Sequence, residues 1–537
     1  KLALDSVSLS IPESEFVVLC GKSGCGKSTL LRHLKKSMNP YGNKFGSVCF
    51  DGEEIEEMND RDAASKIGYV QQNPDNQLVT DKVWHELAFG LESLGYSNSV
   101  IKRRVAEMAS YFGIQTWFRK SVSELSGGQK QLLNLASVMA MQPEVLILDE
   151  PASQLDPIAA RDFLSTVHRL NRELGVTIVI SEHRLEEIFP LADRAIVMDA
   201  GRIIANARPS EVAIQLAGNG DDESVHPMYY GMHPVMKLFP KELVRWQDSL
   251  PMTLREGRIL MEKLFENGTL TLKEAGVQKL AEEKEANSGK PVIKLKNLYF
   301  RYAKNADDVL RGLNLEIEEG KLHCLLGGNG SGKSTTLKAI CEIIKPQSGK
   351  VKIADNCRAA MVPQNPQALF TEISCEEEVL EGLCYQKLEI EEKVQRTEDM
   401  LKLMEIEHLR KANPYDLSGG EQQRLALAKV MVSNPDILLL DEPTKGLDPF
   451  FKQTLGRILR SLCKDNKTIF MVSHDIEFCA EFGDRCSMFF DGEIATSGSA
   501  KEFFSGNNFY TTVENKLTRK WCEGIITGEE ARTWIRS

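Results

Sequence analysis

Two short glycine-rich motifs carry the residue types that bind phosphate. Residues 21–29 read GKSGCGKST, residues 327–335 read GGNGSGKST, and both fit the pattern G-x-x-x-x-G-K-[ST]. Glycines let the backbone fold round a phosphate, while successive N–H groups and a helix N-terminus attract the anion. The lysine reaches the β- and γ-phosphates, and the hydroxyl after it binds Mg²⁺. The motifs therefore predict two sites for a nucleoside triphosphate.

The surroundings of both motifs are those that a phosphate-binding loop requires. A short apolar run that is typical of a buried strand precedes each motif (residues 17–20 and 323–326), and a helical pattern follows the first. A chance glycine-rich turn would have no reason to show this strand, loop and helix order. The loop residues predicted to bind nucleotide are Gly21, Ser23, Gly24, Cys25, Gly26, Lys27, Ser28, Thr29, Gly327, Asn329, Gly330, Ser331, Gly332, Lys333, Ser334 and Thr335.

Pairs of carboxylates end two apolar runs further along the chain. Asp149-Glu150 and Asp441-Glu442 lie where α/β sheets place their chemistry, at the C-terminal ends of strands. The aspartate would bind Mg²⁺ through its water shell, beside Ser28 or Ser334. The glutamate would polarise the water that attacks the γ-phosphate. Helix capping could explain one such pair, but it explains two at matched spacing poorly.

The chain repeats itself. LSGG occurs at residues 125–128 and 417–420, and both Ser126 to Ser418 and Asp149 to Asp441 span 292 positions. The histidines that end two further apolar runs, His183 and His474, are 291 positions apart. A whole-domain duplication accounts for this order. The first copy holds 14 extra residues between Lys27 and Gln72, which we expect to form a longer peripheral β-hairpin region.

These motifs together resemble two ATP-binding cassettes of the ABC family fused in tandem. LSGGQKQ and LSGGEQQR resemble the signature of that family, and residues 153–156 and 445–448 its D-loop. Gln72 and Gln364 match the Q-loop glutamine, which also contributes to the metal site, and His183 and His474 match the switch histidine. The resemblance implies an α/β fold of two P-loop NTPase cassettes joined by a helical linker. Each cassette would have a RecA-like core, an antiparallel β subdomain and a helical signature subdomain.

The family resemblance also implies how the two halves work together. The phosphate-binding loop of one cassette faces the signature of the other, so two ATP molecules with Mg²⁺ are sandwiched between halves of one chain. The signature residues carried over are Ser126, Gly127, Gly128, Ser418, Gly419 and Gly420. ATP then favours the closed state, and hydrolysis by Glu150 and Glu442 lets the halves open.

The segment after Gln72 points to one group within that family. Residues 72–95, QNPDNQLVTDKVWHELAFGLESLG, resemble the ATPases of energy-coupling factor (ECF) importers for vitamins and metals. That likeness implies a transmembrane scaffold subunit and a membrane substrate-binding subunit as partners, at the cytoplasmic face of the membrane. We expect Val83, Leu87 and Leu91 to bury one face of the helix and the other face to meet a partner. Vitamin, vitamin precursor and metal ion remain open as substrates.

Two other classes of function compete with the importer. A tandem ABC translation factor that acts on ribosomes also has two cassettes and a linker. The net charge of −11 argues against it, because a nucleic-acid binder usually carries a basic face, and no nucleic-acid partner is expected. A regulatory clamp without hydrolysis would predict loss of a glutamate or histidine at one site, whereas both sites retain these residues.

The two copies differ at the adenine and signature positions. Tyr302, 25 residues before Gly327, resembles the aromatic residue that stacks on adenine, whereas the same offset from Gly21 falls before Lys1. We therefore expect the first strand of the first cassette to be truncated and its open site to hold nucleotide less well. Leu132 stands where the second signature has Arg424.

The predicted organisation is residues 1–217 for the first cassette, 218–290 for the linker, 291–505 for the second cassette and 506–537 for a helical tail. Helical periodicity occurs in the linker at 240–250, 253–265 and 271–286. A metal site at its two His-Pro pairs, residues 226–234, is weighed against a proline-rich loop, which we favour. The twelve scattered cysteines, among them Cys20, Cys49 and Cys324, are typical of reduced, buried thiols in a cytosolic protein. No apolar run is long enough to span a bilayer.

Overall fold

The computed structural model describes residues 2–153, 155, 157–217, 225–239, 250–268, 289–328, 330–355 and 357–536. The chain divides into two compact units, Lys1–Thr253 and Leu254–Ser537. The four finer segments predicted from the sequence stay predictions.

The first unit contains eight strands and, within the described ranges, nine α-helices. Its strands are β1 (Phe16–Gly21), β2 (Cys49–Phe50), β3 (Glu53–Glu54), β4 (Ile67–Val70), β5 (Val145–Asp149), β6 (Thr177–Ser181), β7 (Arg194–Asp199) and β8 (Arg202–Ala207). Its helices are α1 (Lys27–His33), α2 (Asp60–Lys66), α3 (Val83–Ser93), α4 (Asn98–Tyr111), α5 (Gly127–Ala140), α6 (Pro157–Leu174), α7 (Leu185–Ile188), α8 (Pro209–Leu216) and α9 (Pro234–Leu238).

The second unit contains nine strands and ten described α-helices. Its strands are β9 (Pro291–Phe300), β10 (Leu310–Glu318), β11 (Leu322–Gly327), β12 (Ser348–Ile353), β13 (Ala359–Val362), β14 (Ile437–Asp441), β15 (Thr468–Val472), β16 (Arg485–Phe490) and β17 (Glu493–Ser499). Its helices are α10 (Leu254–Glu266), α11 (Lys333–Ile340), α12 (Cys375–Glu381), α13 (Ile390–Leu403), α14 (Gly419–Met431), α15 (Pro449–Lys464), α16 (Ile476–Phe482), α17 (Ala500–Gly506), α18 (Val513–Thr518) and α19 (Gly528–Arg536).

Each unit is built on its own six-stranded sheet, and the two sheets have the same topology. The strand order is β4-β5-β6-β1-β7-β8 in the first unit and β13-β14-β15-β11-β16-β17 in the second. The first five strands of each order run parallel and the last is antiparallel. Because parallel strands end at one edge, the loops after β1, β5 and β6 meet there. The predicted α/β fold with two P-loop cassettes is confirmed.

Continuous apolar runs explain why these strands lie at the centre of each unit. Every residue of β1, β6, β11, β14 and β15 is buried. Strands covered on both faces need apolar side chains at successive positions rather than in alternation, and VVLC, TIVI and LLL meet that need. The carboxylates and hydroxyls at the strand ends are thus fixed on a rigid, water-excluded frame.

The extra residues of the first copy do not form the long hairpin region that we expected. A hairpin of two residues per strand, β2 and β3, is followed by the helix α2. The Asn59 side chain caps α2 by accepting a 2.8 Å hydrogen bond from the backbone N–H of Asp62, and Ala63 buries the inner face. In the second unit the corresponding part of the chain contains β12, which pairs with β9 in a three-stranded antiparallel sheet, β10-β9-β12.

The described part of the linker contains one of the three predicted helices, α10. The predictions at 240–250 and 271–286 fall on residues that lie almost wholly outside the described ranges. His226 and His233 each use Nδ1 to accept a hydrogen bond, from the N–H of Met228 and of Val235, at the start of a helical turn. These contacts give both histidines a capping role, which favours the loop interpretation over a metal site. The predicted tail helices correspond to α18 and α19.

Two cysteines depart from the predicted burial. Cys49 and Cys384 are exposed, because Cys49 lies on the peripheral hairpin rather than in the central sheet, whereas Cys20 and Cys324 are buried in β1 and β11. Among the described residues, no helix is both long and apolar enough to cross a membrane. The same residues contain no group of three or more His, Cys, Asp or Glu side chains arranged to hold a metal ion.

Candidate active site

The backbones of the two phosphate-binding loops follow the same path. Gly24 and Gly330 have φ values of 73° and 70°, and Gly26 and Gly332 have values of 107° and 116°. This left-handed region is strained for residues with a side chain. A Cβ on Gly26 would also lie 2.6 Å from the carbonyl oxygen of Ala3. The glycine spacing in the sequence is therefore required by backbone conformation and by close packing.

The loop lysines are buried and held inside their own loops. Lys27 Nζ donates to the carbonyl oxygens of Gly21 at 2.9 Å and Lys22 at 3.1 Å. Lys333 Nζ donates to the carbonyl oxygen of Gly327 at 3.0 Å and of Gly328 at 2.8 Å. In both units the ammonium group is thus aimed across the loop, where a bound phosphate would meet it.

A hydroxyl and a carboxylate meet at the end of β5 and again at the end of β14. Ser28 Oγ donates to Asp149 Oδ1 at 3.0 Å, and Ser334 Oγ donates to Asp441 Oδ1 at 2.9 Å. Burial raises the pKa of both aspartates, and in the first unit the neighbouring charge of Glu150 adds to the effect. Two hard oxygen donors side by side are the kind of ligand set that Mg²⁺ takes together with phosphate oxygens and water.

The glutamates predicted to act on water have an unusual backbone. Glu150 and Glu442 both adopt positive φ angles, 44° and 53°, which are uncommon outside glycine. Each occupies the residue directly after its strand, so the left-handed turn redirects the side chain from the sheet into the site. Such local strain persists where the surrounding structure holds it, and it occurs preferentially at functional positions.

Three polar side chains surround Glu150 in the first unit. Gln72 Nε2 donates to Glu150 Oε2 at 2.8 Å, and His183 Nε2 lies 2.8 Å from Oε1. Lys27 Nζ lies 3.7 Å from Oε1. Burial disfavours the charged carboxylate, but the attraction of His183 and Lys27 is stronger and lowers the pKa of Glu150 to about 2. The four residues that the sequence predicted for this site are therefore in contact.

The corresponding cluster of the second unit is looser. His474 Nε2 lies 3.1 Å from Glu442 Oε1 and 3.3 Å from Lys333 Nζ, and the backbone N–H of His474 donates to Glu442 Oε2 at 3.1 Å. Gln364, the predicted counterpart of Gln72, is exposed. Burial raises the pKa of Glu442 to about 7, with the charge of Asp441 acting in the same direction and Lys333 against it.

The signature serines begin helices. Ser126 and Ser418 are the N-caps of α5 and α14, and each forms a capping box with the residue three positions on, Gln129 and Glu421. Ser126, Gly127, Ser418 and Gly419 are exposed, Gly128 is half-buried and Gly420 is buried. The N–H groups at these helix ends are therefore accessible to an anion, as the sequence predicted.

The remaining predicted nucleotide contacts lie on or beside the loops. Tyr302 is 61% exposed, and its hydroxyl shares a 3.0 Å hydrogen bond with Thr335 Oγ1, which places the ring next to the second loop. Cys25 is buried, and burial raises the pKa of its thiol. The prediction for Asn329 falls outside the described residues, as do those for Gln154 and Asp156 of the first D-loop.

Three residues of the first site were missed from the sequence. Asp149 accepts hydrogen bonds from Tyr69 at 3.2 Å and from Ser181 at 2.8 Å, and Ser181 Oγ also accepts from the N–H of Glu150. Glu182 accepts from the N–H groups of Ala152 and His183. Ser181 and Glu182 belong to the Ser-Glu-His run that ends in His183, but only the histidine was assigned a role, and Tyr69 belongs to no recognisable motif.

The strand register shows which residues of the second unit correspond to them. The N–H of Glu182 donates to the carbonyl of Leu19, just as the N–H of Ser473 donates to that of Leu325. Glu182 therefore corresponds to Ser473, and Ser181 to Val472. The 291-position spacing of His183 and His474 gives the same match.

The comparisons with known proteins agree with this geometry. The family model described as ABC transporter matches residues 4–153 and 310–445. The chain belongs to the ABC transporter family. A relative from Bacillus cereus, named "Putative ABC transporter ATP-binding protein", is 42% identical over 98% of this chain and 94% of its own length. One of the same name from Methanosarcina mazei is 33% identical over 93% of this chain and 87% of its own.

Among solved structures, a chain from a model of ribosome-bound archaeal Pelota and ABCE1 covers 96% of this ABC protein and 84% of itself, with a TM-score of 0.65. At 20% identity this likeness concerns the fold alone. The family match, the relatives and the two phosphate-binding loops identify the chain as a tandem ABC ATPase that binds nucleotide.

Proposed function

We propose that this ATPase hydrolyses ATP at two sites and thereby powers a membrane importer of the energy-coupling factor type. The hydrolytic part of the proposal is supported by the side chains round Glu150 and Glu442. In each unit one carboxylate, one imidazole and one lysine meet at the end of a central strand, β5 in the first unit and β14 in the second.

In this mechanism the glutamate orients and polarises the attacking water. Its ionised form is needed, because only a carboxylate accepts the hydrogen bond and proton of that water. His183 and His474, each within hydrogen-bond distance of a glutamate, hold the carboxylate in place and would contact the γ-phosphate. Lys27 and Lys333 would neutralise the β- and γ-phosphates.

The fit of Mg²⁺ rests on its oxygen donors. Ser28 with Asp149, and Ser334 with Asp441, would hold the ion, and the Gln72 side chain lies at the same edge of the sheet through its contact with Glu150. Bound Mg²⁺ would supply positive charge to the phosphate oxygens. In the second unit Gln364 would have to turn inward to take part.

We propose further that ATP holds the two cassettes together. Each nucleotide would be bound by one phosphate-binding loop and by the signature helix of the other cassette, whose exposed N–H groups at Gly127 and Gly419 suit a γ-phosphate. Because both cassettes belong to one chain, closure is intramolecular and has a high effective concentration.

One observation supports the importer most directly, and it concerns α3 and the residues before it. Val83, Leu87 and Leu91 are fully buried, as predicted, whereas Val79, Trp84 and Phe89 are 66, 45 and 39% exposed. Three large apolar side chains exposed within eleven residues of one segment are typical of an interaction site. We infer that the exposed side of α3 receives a helix of a membrane scaffold subunit.

The test is a double variant, Trp84→Ser with Phe89→Ser, expressed in a cell that contains the native membrane partners. We expect the wild-type chain to sediment with membranes and to bring membrane subunits through purification, and the double variant to lose this association. ATP binding should remain, because neither side chain touches the phosphate-binding loop.

The matched control is Ile204→Ser on β8, which removes an apolar side chain of similar exposure, 49%, from another face of the first unit. It should retain membrane association. Recovery of wild-type protein with ribosomes and not with membranes would contradict the importer and favour the translation-factor alternative.

A further inference from the structure

Glu182 is a buried carboxylate in the first unit that none of the predicted roles uses. The residue is 1% exposed, and its side chain joins two backbone segments. Oε1 accepts a 2.9 Å hydrogen bond from the N–H of Ala152, and Oε2 accepts one of 3.1 Å from the N–H of His183. A single carboxylate thus links the switch histidine to the segment that follows Pro151.

Arg184, on the other side of His183, strengthens the same link. Arg184 donates from a terminal guanidinium nitrogen to the carbonyl oxygen of Leu155 at 2.8 Å. Glu182 and Arg184 flank His183, so the loop that carries the histidine is fastened on one side of it to Ala152 and on the other to Leu155. Burial raises the pKa of Glu182, but the charge of Arg184 and the hydrogen bond from Ala152 favour its ionised form.

The second unit fastens its D-loop, residues 445–448, to a helix by a different contact. Arg424 on α14 donates to Asp448 Oδ2 at 2.8 Å and lies over the ring of Phe451. In the first unit Leu132 stands in place of that arginine and cannot form such a bond. Ser473, the counterpart of Glu182, has a side chain too short to make the double link, and its hydroxyl accepts from the N–H of Asp475.

We propose that Glu182 is a positioning residue of the first ATP site, which holds His183 against Glu150 by tying it to Ala152. The second site has Ser473 in place of this carboxylate and fixes its D-loop through Arg424 and Asp448, so the two sites differ in what their turnover depends on. The proposal needs only ATP hydrolysis, and it stands whether or not the protein serves an importer.

The direct test is Glu182→Ser, which gives the first unit the residue of the second. Without the carboxylate, His183 loses its backbone anchor while the phosphate-binding loop is untouched. We expect kcat per chain to fall, and in an E442Q background, where the first site is isolated, by about tenfold, a loss typical of residues that orient an active-site ligand. KM and the affinity for a fluorescent ATP analogue should stay within about twofold.

Ser473→Ala in an E150Q background is the matched control and should leave turnover within about twofold. Glu182→Gln preserves the side-chain shape and one acceptor, so we expect a wild-type melting temperature and an intermediate kcat. Glu182→Gln also tests the proposal if Glu182→Ser does not fold. It can be measured in the otherwise unchanged chain, so it serves equally if the E442Q or the E150Q background is inactive. Unchanged kcat in Glu182→Gln and Glu182→Ser, or an equal loss in Ser473→Ala, would overturn the proposal.

Discussion

Glu150 and Glu442 occupy the same left-handed backbone position, but their carboxylates have different neighbours. Gln72, His183 and Lys27 surround the first, and His183 and Lys27 lower its pKa to about 2 against the effect of burial. For the second, burial dominates and raises the pKa to about 7. A protonated carboxyl cannot polarise water, so only the second site should lose activity as the pH falls through neutrality.

This difference gives a prediction that single variants can separate. With E150Q the turnover depends on Glu442, and we expect kcat/KM to decline below a pH of about 7, towards tenfold per pH unit. With E442Q it depends on Glu150, whose low pKa leaves the carboxylate ionised throughout that range. Initial-rate measurements across neutral pH test this. Superimposable profiles for the two variants would contradict it.

At the scale of elements, α3 shows how one helix serves two surroundings. Its buried side chains at positions 83, 87 and 91 follow the spacing of one helical face, which packs against the first unit. Trp84 and Phe89 point elsewhere and remain exposed. Stability and partner binding should therefore be separable along this helix.

Leu87→Ala should lower the free energy of unfolding of the first unit by about 2–5 kcal/mol, because it leaves a cavity at a fully buried position. Phe89→Ala on the same helix should change it by no more than about 0.5 kcal/mol, because that ring is partly exposed. Chemical denaturation followed by circular dichroism measures both. Equal losses would mean that the two helix faces are not distinct.

At the scale of the whole molecule, the duplication supplies two sets of the residues that we propose to bind phosphate and act on water. The copies share sheet order, loop conformation and the backbone of the glutamates. They differ in the groups that support those residues: Tyr69, Ser181 and Glu182 in the first unit correspond to Met361, Val472 and Ser473 in the second. We expect the two sites to contribute unequally to turnover.

Replacing both glutamates, E150Q with E442Q, should leave ATP binding intact and abolish multiple turnover, because the phosphate-binding loops are unchanged and no carboxylate remains to polarise water. Bound ATP should then persist, and the cassettes should stay closed. Equilibrium binding and phosphate release measure the two effects. Hydrolysis at the wild-type rate would contradict the assignment of both residues.

The family, the fold and most of the candidate site could be predicted from the sequence, because the chemistry there demands fixed residue types at fixed spacing. Glycines at fixed spacing, a lysine and a hydroxyl after them, and carboxylates at the ends of apolar runs can all be recognised from the residues alone. The duplication adds strength, since chance does not repeat such a set at a constant interval.

The supporting contacts were decided by tertiary structure. Glu182 lies next to His183 in the sequence, but its proposed positioning role depends on a hydrogen bond from Ala152, thirty residues away on a neighbouring loop. Tyr69 and Ser181 likewise reach Asp149 because β4 and β6 flank β5. The sequence by itself determined which residues we propose to bind phosphate and act on water, since those roles require particular side chains. Only the packed sheet decided which neighbours hold them, since hydrogen bonds depend on distance in space and not along the chain.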